Sequence, residues 1–162
     1  MEPTAKPARL DPKARQQALA VLRDAIEDTP DFQDVTIEAC RVLRTTFPHY
    51  NWVGVYMVEG QELVLSGWDG PQATEHTRIP IGQGICGLAA RTGKTVNVPD
   101  VNADPRYLAC FLSTRSELVV PIFLDGKVVG EIDVDSDRPG AFGPDDEAFV
   151  AEFAKLLATA AK

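Results

Sequence analysis

Apolar residues recur at helical spacing twice near the start of the chain. Ala18, Leu19, Leu22, Ala25 and Ile26 share one side of a helix that opens at Asp11-Pro12, an N-cap followed by a proline suited to the first helical position. Thr29-Pro30-Asp31 breaks it, and Val35, Ala39, Val42, Leu43 and Phe47 line a second helix that ends before Pro48. The pattern then changes to strands. Trp52–Val58 and Glu62–Ser66 flank Glu59-Gly60-Gln61 and predict a hairpin. Ile85–Arg91 predicts a short helix closed by Gly93, and Thr95–Val98 a short strand. Residues 99–114 have no clear period and predict a long loop with room for a helical turn. Glu117–Leu124 and Lys127–Asp135 are strands around Asp125-Gly126, a strong hairpin signal. After a polar loop over 136–144, Asp145–Ala161 predicts a terminal helix, acidic in its first turn, with Phe149, Phe153, Leu156 and Leu157 facing inward. Helices flanking an antiparallel sheet at both chain ends make an α+β domain.

Composition narrows the class. The 162 residues fit one domain of about 150, placed at 11–162, with 1–10 as a flexible arm carrying Pro3 and Pro7. No apolar run approaches the ~18 residues of a membrane span, and Met1 to Pro7 lack the apolar segment of a signal peptide, so a cytoplasmic location is expected. The net charge is −8 with scattered Lys and Arg, which argues against nucleic acid as a partner. His49, His76, Cys40, Cys86 and Cys110 form no zinc spacing, so no metal is expected, and Gly82-x-Gly84 lacks the other parts of a phosphate loop.

The cysteines and acids are the chemical candidates. Cys40 falls beside Val42 and Leu43 and belongs to the core. Cys86 sits in a Gly-rich turn at a predicted helix N-terminus, where the dipole lowers a thiol pKa; Cys110 lies on the long loop. The plain alternative is that both are buried small hydrophobes. Asp133 and Asp135 are two apart on a strand and share a face, as do Trp52 and Tyr56, four apart; Glu117 starts the strand that pairs with the aspartates' own. Ordinary solvent-facing strand positions would explain one aspartate, but Asp is depleted in strands.

The string Arg78-Ile79-Pro80-Ile81-Gly82-Gln83-Gly84-Ile85-Cys86-Gly87 is followed by Leu108-Ala109-Cys110 and Ser116-Glu117-Leu118-Val119-Val120-Pro121. With Gly130-Glu131-Ile132-Asp133-Val134-Asp135-Ser136 and Phe142, these segments resemble the free methionine-(R)-sulfoxide reductases, which have a GAF fold. The resemblance runs from about Tyr50 to the last helix. Asp104-Pro105-Arg106-Tyr107 and Val119-Val120-Pro121-Ile122 resemble GAF domains in general, sensors included; the two cysteines and paired aspartates resemble the enzymes. The resemblance implies that Cys110 becomes the sulfenic acid and Cys86 its disulfide partner, reopened by thioredoxin or a similar dithiol, with no cofactor. It further implies that Trp52 and Tyr56 wall the methyl sulfoxide, with core packing as their plain alternative. Glu117, Asp133 and Asp135 are the acids suited by chemistry to hold a free amino acid's ammonium and to supply a proton to the departing oxygen. Many members carry another cysteine ten positions before Cys86, where this chain has His76. A non-catalytic GAF sensor and a thiol redox switch are the alternatives. A homodimer is expected, through Leu19, Leu22 and Ile26 of the first helix and Phe153, Leu156 and Leu157 of the last.

Overall fold

The computed structural model describes residues 9–107 and 111–161. Two helices come first, α1 (Pro12–Asp28) and α2 (Phe32–Thr46), each opened by an aspartate whose side chain accepts a backbone N–H two residues on: Asp11 from Lys13 and Asp31 from Gln33. The strands are β1 (Trp52–Glu59), β2 (Glu62–Asp69), β3 (Arg78–Pro80), β4 (Val96–Val98), β5 (Ser116–Leu124) and β6 (Lys127–Ser136). Between β3 and β4 lies α3 (Gly84–Thr92), and α4 (Pro144–Ala158) is the last element. Among the described residues the strands form one antiparallel sheet in the order β3-β2-β1-β6-β5-β4.

The expected α+β architecture is therefore present, with some boundaries moved. β3 is an extra strand, too short and too interrupted by Pro80 to give a period-two signal. The helical turn in the long loop is Val101–Ala103. Leu10, assigned to the arm by its sequence, is instead buried, and its N–H donates to Asp145 at the start of α4 at 3.1 Å. At the β5–β6 hairpin Asp125 and Gly126 both take positive φ, 52° and 78°, the backbone that an Asp-Gly turn is suited to adopt.

Alternation divides the sheet into two faces. Val53 and Val55 of β1, Leu118, Val120 and Ile122 of β5, and Ile132 and Val134 of β6 point to the face covered by α2 and α4, with α1 packed across both helices. Cys40 lies in this core, fully buried, its thiol raised far above the usual range by burial and then by Asp69. Leu22, Phe153 and Leu157, three of the six residues expected at a dimer interface, are buried in this core, while Leu19, Ile26 and Leu156 are half-buried.

One polar node fastens α4 to the end of α2. The buried Asp146 carboxylate accepts from Tyr50 Oη and pairs with His49 Nε2, both at 2.7 Å, and its other oxygen accepts the Gly143 N–H at 2.9 Å, capping α4. Tyr50→Phe removes a buried bond to a carboxylate and should lower the unfolding free energy by about 1–3 kcal/mol, as read from urea denaturation.

Candidate active site

The opposite face of the sheet carries the chemistry. Strand register arranges it in three cross-strand rows: Glu117–Asp135–Trp52, Val119–Asp133–Gly54 and Pro121–Glu131–Tyr56, running from β5 through β6 to β1. The expected convergence of Glu117, Asp133 and Asp135 is thus met, and all three are buried. So is Glu131, a fourth acid that the sequence reading passed over although it continues the same alternation on β6.

Covering this face is α3, and Ile79, Val98, Val101, Tyr107 and Phe111 pack in the same apolar cluster as Trp52, Tyr56 and Val119. The Trp52 indole folds over Gly54, where a Cβ would lie 2.4 Å from the ring, so only glycine allows this placement. Its Nε1 donates to the Gln72 carbonyl at 3.2 Å, and its ring lies parallel to Trp68 and tilted against Phe111, at centroid distances of 6.4 and 5.7 Å. Tyr56 donates its hydroxyl to the His76 carbonyl at 2.7 Å. His76 thus meets this aromatic wall through its backbone. Cys110 lies outside the described residues.

Cys86 occupies the first turn of α3 and is buried. Its Sγ donates to Asp133 Oδ2 at 3.4 Å, and Cys86 Sγ, a Glu117 oxygen and an Asp133 oxygen all lie within 4.8 Å of one another. The expectation that the helix dipole lowers this thiol's pKa is overturned. Burial pushes it well above the usual thiol range, and Asp133, Glu131 and Glu117 push it further. A helix end offers a fraction of a charge, and it is outweighed by desolvation and several nearby carboxylates.

The acids are perturbed in the same sense. Burial raises Glu131 and Asp135 well above the usual carboxylate range, with repulsion from Asp133 adding to both. Asp133 is raised by burial, partly offset by hydrogen bonding to Glu117 and Cys86. Among the described residues both oxygens of Glu131, both of Asp135 and Asp133 Oδ1 have no hydrogen-bond partner. A buried carboxylate array of this kind suits a cationic ligand that also donates hydrogen bonds.

A model for the GAF domain matches residues 31–161. The free methionine-R-sulfoxide reductase of Escherichia coli is 35% identical over 113 residues, covering 67% of each chain. The X-ray structure of free methionine-R-sulfoxide reductase from Neisseria meningitidis, in complex with its substrate, is 36% identical. It covers 99% of this chain and 95% of that one with a TM-score of 0.83. The chain belongs to the GAF family, among the free methionine-R-sulfoxide reductases. Protein YtsP of Bacillus subtilis is also similar to this GAF domain, 38% identical over 90% of this chain and 89% of its own.

The orphaned acids of this GAF domain make a stability prediction with a definite sign. Glu131 is raised on folding, so the folded state keeps a proton that the unfolded chain has lost. Its contribution to stability therefore declines as pH rises from the ordinary carboxylate range toward the raised value. Glu131→Leu removes that penalty and should stabilise the fold at neutral pH by about 1–3 kcal/mol, with a smaller gain in mild acid. Urea titrations of both proteins at the two pH values measure it.

Proposed function

We propose that this GAF domain reduces free methionine-R-sulfoxide to methionine on the carboxylate face of its sheet. The observation that carries this reading is the buried set of Glu117, Glu131, Asp133 and Asp135 beside the Cys86 thiol. A free amino acid brings an ammonium, the one group of methionine sulfoxide that supplies both positive charge and several N–H donors to such a set. Trp52 gives the apolar wall against which the sulfoxide methyl group packs, with Tyr56 beside it.

The chemistry needs two thiols. Cys110 attacks the sulfoxide sulfur, the oxygen is protonated, and collapse of the adduct leaves methionine and a sulfenic acid on Cys110. A carboxyl held neutral by its surroundings, as burial favours for Asp133 or Asp135, is suited to supply that proton. Cys86, giving up its proton to the adjacent Asp133 carboxylate, then attacks the sulfenic sulfur, forming the disulfide as the hydroxyl leaves as water, and an external dithiol of the thioredoxin class returns both cysteines to thiols while becoming a disulfide itself. The division of roles is supported by the protonated state that its surroundings impose on Cys86, since a neutral thiol is a poor first nucleophile. Phe111, the chain neighbour of Cys110, packs on Trp52 at the wall of the site. The reducing cytoplasm is the matching compartment for such thiols; no helix of the described residues is long and apolar enough to cross a membrane. Leu19, Ile26 and Leu156, half-buried on α1 and α4, support pairing of two copies through those helices.

The purified chain should release methionine from free methionine sulfoxide when a dithiol is supplied. Without dithiol, Cys86→Ser should release about one methionine per chain in a single turnover and Cys110→Ser none, because the sulfenic acid forms before the disulfide. Quantifying methionine and alkylated thiols by mass checks both. The reverse pattern exchanges the roles, and no release with any dithiol rejects the reductase.

A further inference from the structure

The Cys86 thiol and its acids also satisfy the geometry of a metal site. The donors come from three elements: Cys86 Sγ from α3, one oxygen of Glu117 from β5 and one of Asp133 from β6, all buried and within 4.8 Å of one another. In a tetrahedral zinc site, a thiolate at about 2.3 Å and a carboxylate oxygen at about 2.0 Å stand roughly 3.5 Å apart. Cys86 Sγ and Asp133 Oδ2 are 3.4 Å apart. One edge of the coordination tetrahedron is therefore in place without rearrangement.

A second observation points the same way. Asp133 Oδ1, both oxygens of Asp135 and both of Glu131 are buried on this face with no hydrogen-bond partner among the described residues. Each neighbouring acid that gives up its proton adds negative potential at the point where the three donors meet, and a dipositive ion there favours the ionised form. The sequence led to an expectation of no metal because its His and Cys residues form no zinc spacing. Here the donors are brought together by tertiary structure, which local spacing cannot reveal.

We propose that Cys86, Glu117 and Asp133 bind a divalent cation of the zinc class, and that the bound ion excludes substrate from the same carboxylates. Binding is an acid–base exchange without electron transfer: the metal–sulfur bond forms as the Cys86 proton, and any proton on the two carboxyls, leaves to solvent. A thiolate ligand selects zinc-class ions over Mg2+ and Ca2+, which take oxygen donors in larger shells. A sulfur committed to the metal cannot form a disulfide, so the ion blocks turnover and shields the thiol from oxidation together. The inhibitory part rests on the reductase reading; the binding does not.

The test uses the full chain, reduced and freed of metal, titrated with Cd2+ as a zinc-class probe whose thiolate complexes absorb in the ultraviolet, and with Zn2+ by calorimetry. Wild type should bind one ion per chain with the thiolate-to-metal band, and Mg2+ in excess should not compete. Cys86→Ser should abolish the band, Asp133→Asn should weaken binding about tenfold or more, and Cys40→Ala should change neither. Circular dichroism checks that the variants are folded, and Glu117→Gln replaces Asp133→Asn if the latter is not. No binding, a band that survives Cys86→Ser, or an affinity unchanged in the folded acid variant would overturn the site. Cadmium binding in a chain that releases no methionine would leave the site standing and count against the reductase alone.

Discussion

Glu117, Glu131, Asp133 and Asp135 lie buried on one face of the sheet, five of the six carboxylate oxygens of Glu131, Asp133 and Asp135 having no hydrogen-bond partner among the described residues, and the rest of the structure is arranged around that cost. Glu131, Asp133 and Asp135 occupy alternate positions of β6, and register sets Glu117 opposite Asp135. An isolated ionised carboxylate in an apolar interior is strongly disfavoured, so such groups either take up a proton or wait for a partner. The opposite face supplies the compensation. There Ile132 and Val134, the residues between the acids, join the core under α2 and α4. One strand thus contributes to both faces, apolar on one and acidic on the other.

The same constraint governs the thiol. Cys86 stands at the start of a helix, a position that favours thiolate, yet the acids that face it and its burial hold the proton on sulfur. In the proposed reaction this is useful. A protonated Cys86 leaves the first attack to the other cysteine, and when a ligand's ammonium neutralises the nearby acids, one cause of its raised pKa is removed. Trp52, settled over Gly54, shares a cross-strand row with Asp135 and Glu117, so the proposed ammonium and methyl contacts would lie side by side on the sheet.

Much of this was legible in the chain because it depends on local periodicity. The helices α1, α2 and α4, the Asp125-Gly126 turn and the shared face of Asp133 and Asp135 follow from spacing of 3.6 or 2, and Cys40 falls in the core where its neighbours indicated. Glu131, two positions before Asp133, shares that face by the same spacing. What could not be read is whatever depends on distant segments. Burial of the acids comes from α3, an element well before them in the chain that packs on β5 and β6, and the reversal of the dipole effect on Cys86 follows from that same burial. Leu10 is held by Asp145, a partner from the far end of the chain that no window of sequence contains.

The central claim is that the buried acids recognise a free ammonium. Its most direct test compares kcat/KM for free methionine sulfoxide with that for N-acetylmethionine sulfoxide, which keeps the sulfoxide and side chain but turns the ammonium into an amide. Acids left without a charged partner should reject the acetylated compound by about a hundredfold or more. Equal kcat/KM values for the two compounds would contradict the account.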